Sequence, residues 1–281
     1  MRIEVRTNSL KDPDRYYTNR ILAMLEPYRP EITMPSEDAL LSEDYTSEGD
    51  APELLLVLGG DGSIMRAAHR AAALKVPILG INLGRIGYLA EINLDELEPM
   101  LERFFKGQYR IERRMMLDVS VISPDSKTEK RAIALNDAVL SHGQISRLLR
   151  TEILCNDESL GHYYSDGFVV STPTGSTAYS LAAGGPVMAP SLNGICLTPL
   201  CPHSLTSRPI LVPDTSDIVI RYLCSGDADA YLTADGIEVA SLDPGDSVLI
   251  RRSKSTADFI RIDREEKKSF YDILREKMSE V

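Results

Sequence analysis

Two stretches of this chain set reactive or hydrogen-bonding side chains beside glycines. The first reads LLLVLGGDGSIMRAA, Leu54 to Ala68. The run Leu54-Leu55-Leu56-Val57-Leu58 suits a strand buried on both faces. Ile64, Ala67, Ala68 and Ala71 recur at helical spacing, so a helix is expected from Ser63 onward. Between them, Gly59, Gly60 and Gly62 permit a sharp turn and a close ligand. The following helix N-terminus offers free amides and partial positive charge, which suits a phosphate. No Gly-Lys-Ser/Thr follows, which excludes a Walker A loop, and the spacing is not G-x-G-x-x-G. Asp61 would repel a phosphate unless a metal intervenes or the carboxylate is wanted as a base. The plainer alternative is a tight turn with a solvated aspartate. The second stretch, SDGFVVSTPTGSTAYSLAAGG, spans residues 165–185. Its Ser-Thr-Pro-Thr-Gly-Ser-Thr run gathers hydroxyls and amides at a strand end, as a ligand cradle or as a capping turn.

The elements that must hold these stretches alternate at first. Arg2–Val5 reads as a strand, Tyr16–Leu25 as a helix ended before Pro27, and residues 35–51 as an acidic, Ser-rich surface loop. A strand at Val76–Asn82 leads into a second glycine turn, Leu83–Leu89, and then an amphipathic helix near Leu94–Phe105. Such alternation implies a parallel, Rossmann-like sheet with ligands at the carboxyl ends of its strands. Both glycine turns lie at such ends and could face one crevice.

After Gln108 the rhythm changes. Strands are expected over 116–122, 132–141, 150–156, 167–171, 207–212, 217–223, 230–234 and 247–252, mostly joined by polar turns. The expected fold is an α/β domain over 1–110 with 260–281, plus a largely antiparallel all-β domain over 111–259. A C-terminal helix from Asp263, with Phe270, Ile273, Leu274 and Met278 on one face, would pack back on the first domain.

Composition narrows the function classes. The 281 residues carry a net charge of −11, which argues against a general binder of nucleic acid or anionic membrane. No apolar stretch approaches a membrane span. The N-terminus has no apolar signal core, so a cytoplasmic protein is expected. Cys155, Cys196, Cys201 and Cys224 form no C-x-x-C pair and read as reduced packing thiols.

Taken together with Leu135-Asn136-Asp137-Ala138, the run from Pro202 to Pro209 and Ala234-Asp235-Gly236, the two stretches resemble the NAD kinase family over residues 54–264. The Gly-Gly-Asp-Gly turn alone is shared with lipid kinases and phosphofructokinases; the Ser-Thr-Pro-Thr-Gly-Ser-Thr-Ala-Tyr run is more particular. The resemblance implies phosphorylation of the 2′-hydroxyl of the adenosine ribose of NAD, using ATP or polyphosphate with a divalent metal, Mg²⁺ carried on the donor. The metal's ligands stay open. It also implies a homodimer or homotetramer, the β domain serving NAD binding and assembly.

Residue by residue, the resemblance makes Asp61 the base, in a turn of Gly59, Gly60 and Gly62 whose glycines leave room for phosphates. It places NAD against Asp61, Gly62, Tyr88, Asn136, Asp137, Thr174, Thr177, Ala178 and Tyr179, with Ser180, Leu181 and Ala182 following. Asn136 can read adenine, Asp137 can accept from ribose hydroxyls and Tyr179 can stack on a base. Asp166, Cys201 and His203 match positions reaching the dinucleotide from a neighbouring subunit. Arg66 could reach a phosphate, and Arg147 and Tyr164 match positions near the product's 2′-phosphate. The chain departs from the family at Asp137, where Glu is commoner, at Ser63, at Tyr164, often basic, and at Ala182, often Ser. Two other readings share the motifs: a lipid or sphingoid-base kinase, and a non-catalytic NAD(P) sensor.

Overall fold

The computed structural model describes residues 1–35, 51–84, 87–124, 130–143, 148–223, 229–263 and 268–279. The expected acidic loop over 35–51, apart from its two end residues, and Arg147 and Cys224 lie outside these. The chain divides into two compact units, residues 1–113 with 257–281, and residues 114–256.

In the first unit the strands are β1 (Arg2–Thr7), β2 (Glu31–Thr33), β3 (Leu54–Gly59), β4 (Ile78–Asn82) and β5 (Ile92–Asn93). Every pairing among them is parallel: β2 on β1, β1 on β3, β3 on β4, and β5 on β4. All six residues of β3 are buried, as a strand covered on both faces requires. Helices at Tyr16–Leu25, Asp61–Leu74 and Leu97–Phe105 connect the strands, and Ile21, Leu25, Leu97, Leu101 and Phe104 join the core with Leu54, Leu56 and Leu58.

The helix after β3 starts at Asp61, two residues before the expected Ser63. Gly60 is extended and its carbonyl accepts from the N–H groups of Ser63 and Ile64, so the first turn opens one residue after it. Asp61 therefore sits in that first turn, at the positive end of the helix. At the C-terminus the expected start at Asp263 is also corrected. The helix is Phe270–Ser279, and Ser269 caps it: Ser269 Oγ accepts the Asp272 N–H at 3.2 Å and Asp272 Oδ2 accepts the Ser269 N–H at 3.0 Å. That reciprocal box satisfies donors that Asp263 cannot reach.

Strands β6 (Tyr109–Ile122) and β17 (Ser247–Ile262) carry the chain from one unit to the other, and both are longer than the sequence suggests. Between them come β7 (Lys130–Ala134), β8 (Asp137–His142), β9 (Leu149–Cys155), β10 (Glu158–Ser165), β11 (Gly167–Ser171), β12 (Gly194–Leu200), β13 (Ile210–Pro213), β14 (Ile218–Tyr222), β15 (Ala230–Ala234) and β16 (Ile237–Leu242). One antiparallel sheet runs β13-β12-β11-β8-β15-β16. In the other, β10-β9-β14-β17 are antiparallel neighbours and β6 pairs β7. Inward residues of both sheets, including Leu117, Leu140, Phe168, Ile195, Ile220, Tyr222, Leu232 and Val248, fill one core.

The single strand expected over 132–141 is two. β7 pairs with β6 in one sheet, and β8 pairs with β11 and β15 in the other. Leu135 and Asn136 form the crossing point, where the backbone leaves one ladder and enters the next.

A buried ion pair ties the first unit together. Glu4 on β1 is 1% exposed, and it accepts from Arg6 Nε at 2.6 Å and from Arg70 Nη2, on the helix Asp61–Leu74, at 2.9 Å. Burial pushes the Glu4 carboxyl up, but the Arg70 and Arg6 guanidiniums outweigh it and hold the carboxyl below its ordinary value. Its contribution is therefore complete above its unfolded pKa and lost as pH falls through the lower folded value. Replacing Glu4→Gln removes the buried negative charge that both guanidiniums bind and should destabilise this unit by roughly 3 kcal/mol. Urea denaturation of wild type and variant at neutral and acidic pH checks this: the gap should close as the medium becomes acid.

Candidate active site

In the first unit the two glycine turns meet at Asp61. Asp61 Oδ2 accepts the N–H of Tyr88 at 2.8 Å and Oδ1 that of Leu89 at 3.1 Å. Gly87 makes this grip possible, because a Cβ there would overlap the Asp61 carboxylate. A carboxylate has about four acceptor sites, so two stay available to a ligand. Tyr88 stands beside it. Burial, and then the Asp61 charge, push its phenol up, so it stays protonated and able to donate. Its ring lies 5.7 Å from Phe270 and 5.2 Å from Lys277 Nζ, so the C-terminal helix packs on this turn.

Behind the turn lies a second clasp. Arg261 Nη1 donates to the Leu89 carbonyl at 3.0 Å and to Glu91 Oε2 at 3.1 Å, and Glu91 Oε1 accepts the Ile262 N–H at 3.0 Å. Arg261 and Glu91 are both buried. They fix the segment that grips Asp61, though neither belongs to a sequence motif.

Gly59 ends β3, Gly60 precedes the helix and Gly62 is exposed in its first turn. Arg66 follows one turn later and is also exposed. The loop after β1 adds a cation that the motifs did not flag. Lys11 Nζ lies 2.9 Å from where a Cβ on Gly60 would stand and 3.6 Å from one on Gly84. Asn8 of the same loop donates from Nδ2 to Ser63 Oγ at 3.0 Å. The signal for Lys11 is topological: β1 is parallel to β3 and β4, so the loop leaving it opens on the same edge.

In the second unit three motifs converge on the crossing between β7 and β8. Asp235 Oδ2 accepts the Leu135 N–H at 2.7 Å, and Oδ1 accepts those of Asn136 at 2.7 Å and Asp137 at 3.1 Å. Thr172 Oγ1 donates to the Leu135 carbonyl at 2.6 Å, and the Thr172 N–H to the Asn136 carbonyl at 2.9 Å. Gly175 lies so close to the Asn136 carbonyl that a Cβ would overlap it. The Ser/Thr stretch, Asn136-Asp137 and Asp235 are thus one cluster.

Asp137 begins β8 and is 6% exposed. Burial, and then the charge of Asp235, push its carboxyl up to about 7. Among the described residues nothing donates to that carboxylate. Opposite it on β11, Ser171 Oγ is buried and also without a partner. Two unsatisfied polar groups on one face of adjacent strand ends mark a place where a ligand's hydroxyls would be accepted.

The remaining candidates differ in what they offer. Thr174 is buried, with Oγ1 accepting from Arg114 Nη1 at 3.2 Å, and Thr177 donates to the Thr174 carbonyl at 3.2 Å. Tyr179, Leu181 and Ala182 are exposed and Ala178 is half-buried. The Ser180 hydroxyl turns inward to Thr198 Oγ1 at 3.1 Å, so it offers a ligand no free side chain. Asp166 lies 3.6 Å from His142 Nε2. A hydrogen bond to Asp166, and then its charge, push the Cys201 thiol up, so Cys201 is no activated nucleophile. The His203 N–H donates to the Tyr164 carbonyl at 2.8 Å, and both side chains are exposed. Among the described residues no group of three or more His, Cys, Asp or Glu could hold a metal. Nor is any helix there long and apolar enough to cross a membrane.

Comparison with known proteins bears on both units. Residues 38–109 match the ATP-NAD kinase N-terminal domain and residues 135–262 the ATP-NAD kinase C-terminal domain. The chain is 45% identical over 230 residues to the NAD kinase of Moorella thermoacetica, covering 82% of this chain and 72% of that protein. With the NAD kinase of Desulforamulus reducens it shares 38% identity over 279 residues, 97% and 95% of the two chains. Yeast NADH kinase, solved in complex with NADH, superposes with a TM-score of 0.84 at 26% identity, over 99% of this chain and 87% of that one. An NAD kinase from Archaeoglobus fulgidus, solved in complex with ATP, gives 0.73 at 25% identity, over 98% and 99%. With the glycine-flanked carboxylate, the Ser/Thr cradle and both domains accounted for, the chain belongs to the NAD kinase family.

Proposed function

We propose that this protein transfers the γ-phosphoryl group of ATP to the 2′-hydroxyl of the adenosine ribose of NAD, giving NADP, with Asp61 as general base. The observation that carries the reading is the Asp61 carboxylate, held rigid by two backbone N–H groups at the carboxyl end of β3. A ribose hydroxyl is a weak nucleophile at neutral pH. An oriented carboxylate takes its proton as the oxygen–phosphorus bond forms and the bond to the leaving ADP breaks. Tyr88 donates beside it.

Asn136 reads adenine and Asp137 accepts from ribose hydroxyls. Thr174, Thr177, Ala178 and Tyr179 line the dinucleotide, with Leu181 and Ala182 following. The donor's phosphates lie against Gly59, Gly60, Gly62 and Lys11, with Arg66 within reach of that edge. Polyphosphate offers the same chemistry there. A divalent ion, Mg²⁺, would come with the donor's phosphates, since Mg²⁺ is held by substrate phosphates and one or two carboxylates. When bound, such an ion neutralises phosphate charge. Matches to both NAD kinase domains disfavour a lipid kinase sharing the glycine turn, and Asp61 would have no task in a sensor.

Asp166, Cys201 and His203 are read as reaching the dinucleotide of a neighbouring subunit in a homodimer or homotetramer. Asp166 and Cys201 are already in contact, and His203 lies exposed on the same loop as Cys201.

Four outcomes follow for the full chain. Asp61→Asn keeps the shape but cannot take a proton, so kcat should fall by ~10²–10⁴-fold with calorimetric NAD affinity retained. Retention of more than about a tenth of kcat would remove Asp61 as the base. Asp137→Ala should weaken NAD binding roughly 10–100-fold, the scale of charge-assisted hydrogen bonds. Stability should move the other way. The folded carboxyl titrates near 7, above its unfolded value of 3.8, so its ionisation destabilises the fold increasingly as pH rises between the two. Asp137→Asn should therefore melt at a higher temperature than wild type in alkaline buffer, and the gain should vanish in acid. Finally, mixing inactive Asp61→Asn with inactive Asp166→Ala should restore part of the activity, because a hybrid contains one site free of both lesions. Folded, exchanging variants that stay inactive would disprove the shared site.

A further inference from the structure

Ala234-Asp235-Gly236 is the one motif the proposed reaction leaves without a task. Asp235 and Gly236 form the two-residue turn of the β15–β16 hairpin, at φ +50° and +78°. Positive φ at both centres is the type I′ arrangement that Asp-Gly favours. A hairpin turn would ordinarily leave its aspartate side chain in solvent. Here the side chain crosses to a segment 100 residues earlier and collects the N–H groups of Leu135, Asn136 and Asp137. The return contact is backbone: the Asp235 N–H donates to the Asp137 carbonyl at 2.9 Å.

Leu135 and Asn136 lie at the crossing, outside both sheets, and Asp137 is the first residue of β8; the N–H groups of all three turn to Asp235. Buried donors cost free energy unless accepted, and one carboxylate can accept all three. The backbone torsions of Asn136 and Asp137 are thereby fixed, and with them the origin of both side chains. We propose that Asp235 is a positioning residue for dinucleotide binding: it sets the backbone from which Asn136 and Asp137 meet adenine and ribose. This rests on the reading that NAD lies against those two residues.

The same carboxylate acts on Asp137 through space. Of the elements packed on the start of β8, β11 presents Ser171 opposite Asp137, and the neighbouring turn presents the Thr172 and Thr174 hydroxyls, the latter joined to Arg114. The hairpin turn presents Asp235, whose negative charge opposes ionisation of Asp137. Asp235 thus places Asp137 and also influences when it is charged, and a merely structural turn residue would do neither.

Calorimetric titration of the full chain with NAD, at pH values on both sides of 7, separates these roles. Wild-type affinity should rise through that region as Asp137 ionises. Asp235→Asn keeps a residue that tolerates the left-handed turn, but its amide nitrogen cannot accept an N–H. It should weaken NAD binding roughly 10-fold in alkaline buffer, as one lost charge-assisted hydrogen bond would. It should also move the inflection to lower pH. Asp235→Gly, which keeps the turn and removes both acceptors, should bind more weakly still. Unchanged affinity and inflection in Asp235→Asn would overturn the proposal. So would a weakened affinity with an unmoved inflection, or a variant that fails to fold, since either makes Asp235 a residue of the fold alone. If Asp137→Ala binds NAD as wild type does, the underlying site reading fails instead, so the two failures are distinguishable.

Discussion

A peptide N–H that leaves a sheet inside a protein must find another acceptor, and the functional parts of this chain are built on that requirement. Three carboxylates meet it. Asp61 accepts from Tyr88 and Leu89, Glu91 from Ile262, and Asp235 from Leu135, Asn136 and Asp137. Each comes from a segment remote from the backbone it serves. A charged acceptor makes the bond about twice as strong as a neutral one, and it fixes a turn that regular pairing cannot reach. The reacting side chains inherit this rigidity. Asp61 is both a clasp for its neighbours and a free acceptor on its remaining lone pairs.

Two glycines show how closely these turns are drawn in. At Gly87 and at Gly175 a single methyl would overlap, respectively, the Asp61 carboxylate and the Asn136 carbonyl. Neither residue has positive φ, so steric space decides, not conformational freedom. Glycine is required there because two segments distant in sequence approach to backbone contact, and the same approach brings each glycine-bearing stretch onto the residues it supports.

Which parts were legible in the sequence follows from how local each cause is. The uniform apolar run of β3 and the periodicity of Tyr16–Leu25 are local, and both elements stand where expected. The crossing at Leu135-Asn136 is not local: the apolar pattern runs on through Ala134 and Leu135, while the acceptor that breaks the strand lies 100 residues away. β10 carries no such local mark: ESLGHYYS, half of it exposed, has no clean alternation. β12 carries Pro199, which argues against a strand, but β13 pairs only with Gly194–Leu197 and leaves that position free of the missing N–H. Asp61 was readable from its flanking glycines. Arg261 and Lys11 were not, since a buried guanidinium and a loop ammonium gain meaning only from topology. The inward turn of Ser180 onto Thr198 likewise depends on β12, which the motif does not contain.

The start of β8 is where stability and binding oppose each other. Among the described residues nothing donates to the buried Asp137 carboxylate, Ser171 opposite it lacks a partner, and Asp137 lies within the field of Asp235. A sequence selected for stability alone would place an amide or an apolar residue there, since an unpartnered buried carboxylate costs free energy. A ligand bearing vicinal hydroxyls reverses the sign. It supplies the missing donors, so part of its affinity is relief of a cost already present in the free protein. A ligand without those hydroxyls leaves the carboxylate unsatisfied and now shielded from water as well. Discrimination at this position then comes from the penalty on the wrong ligand as much as from attraction to the right one.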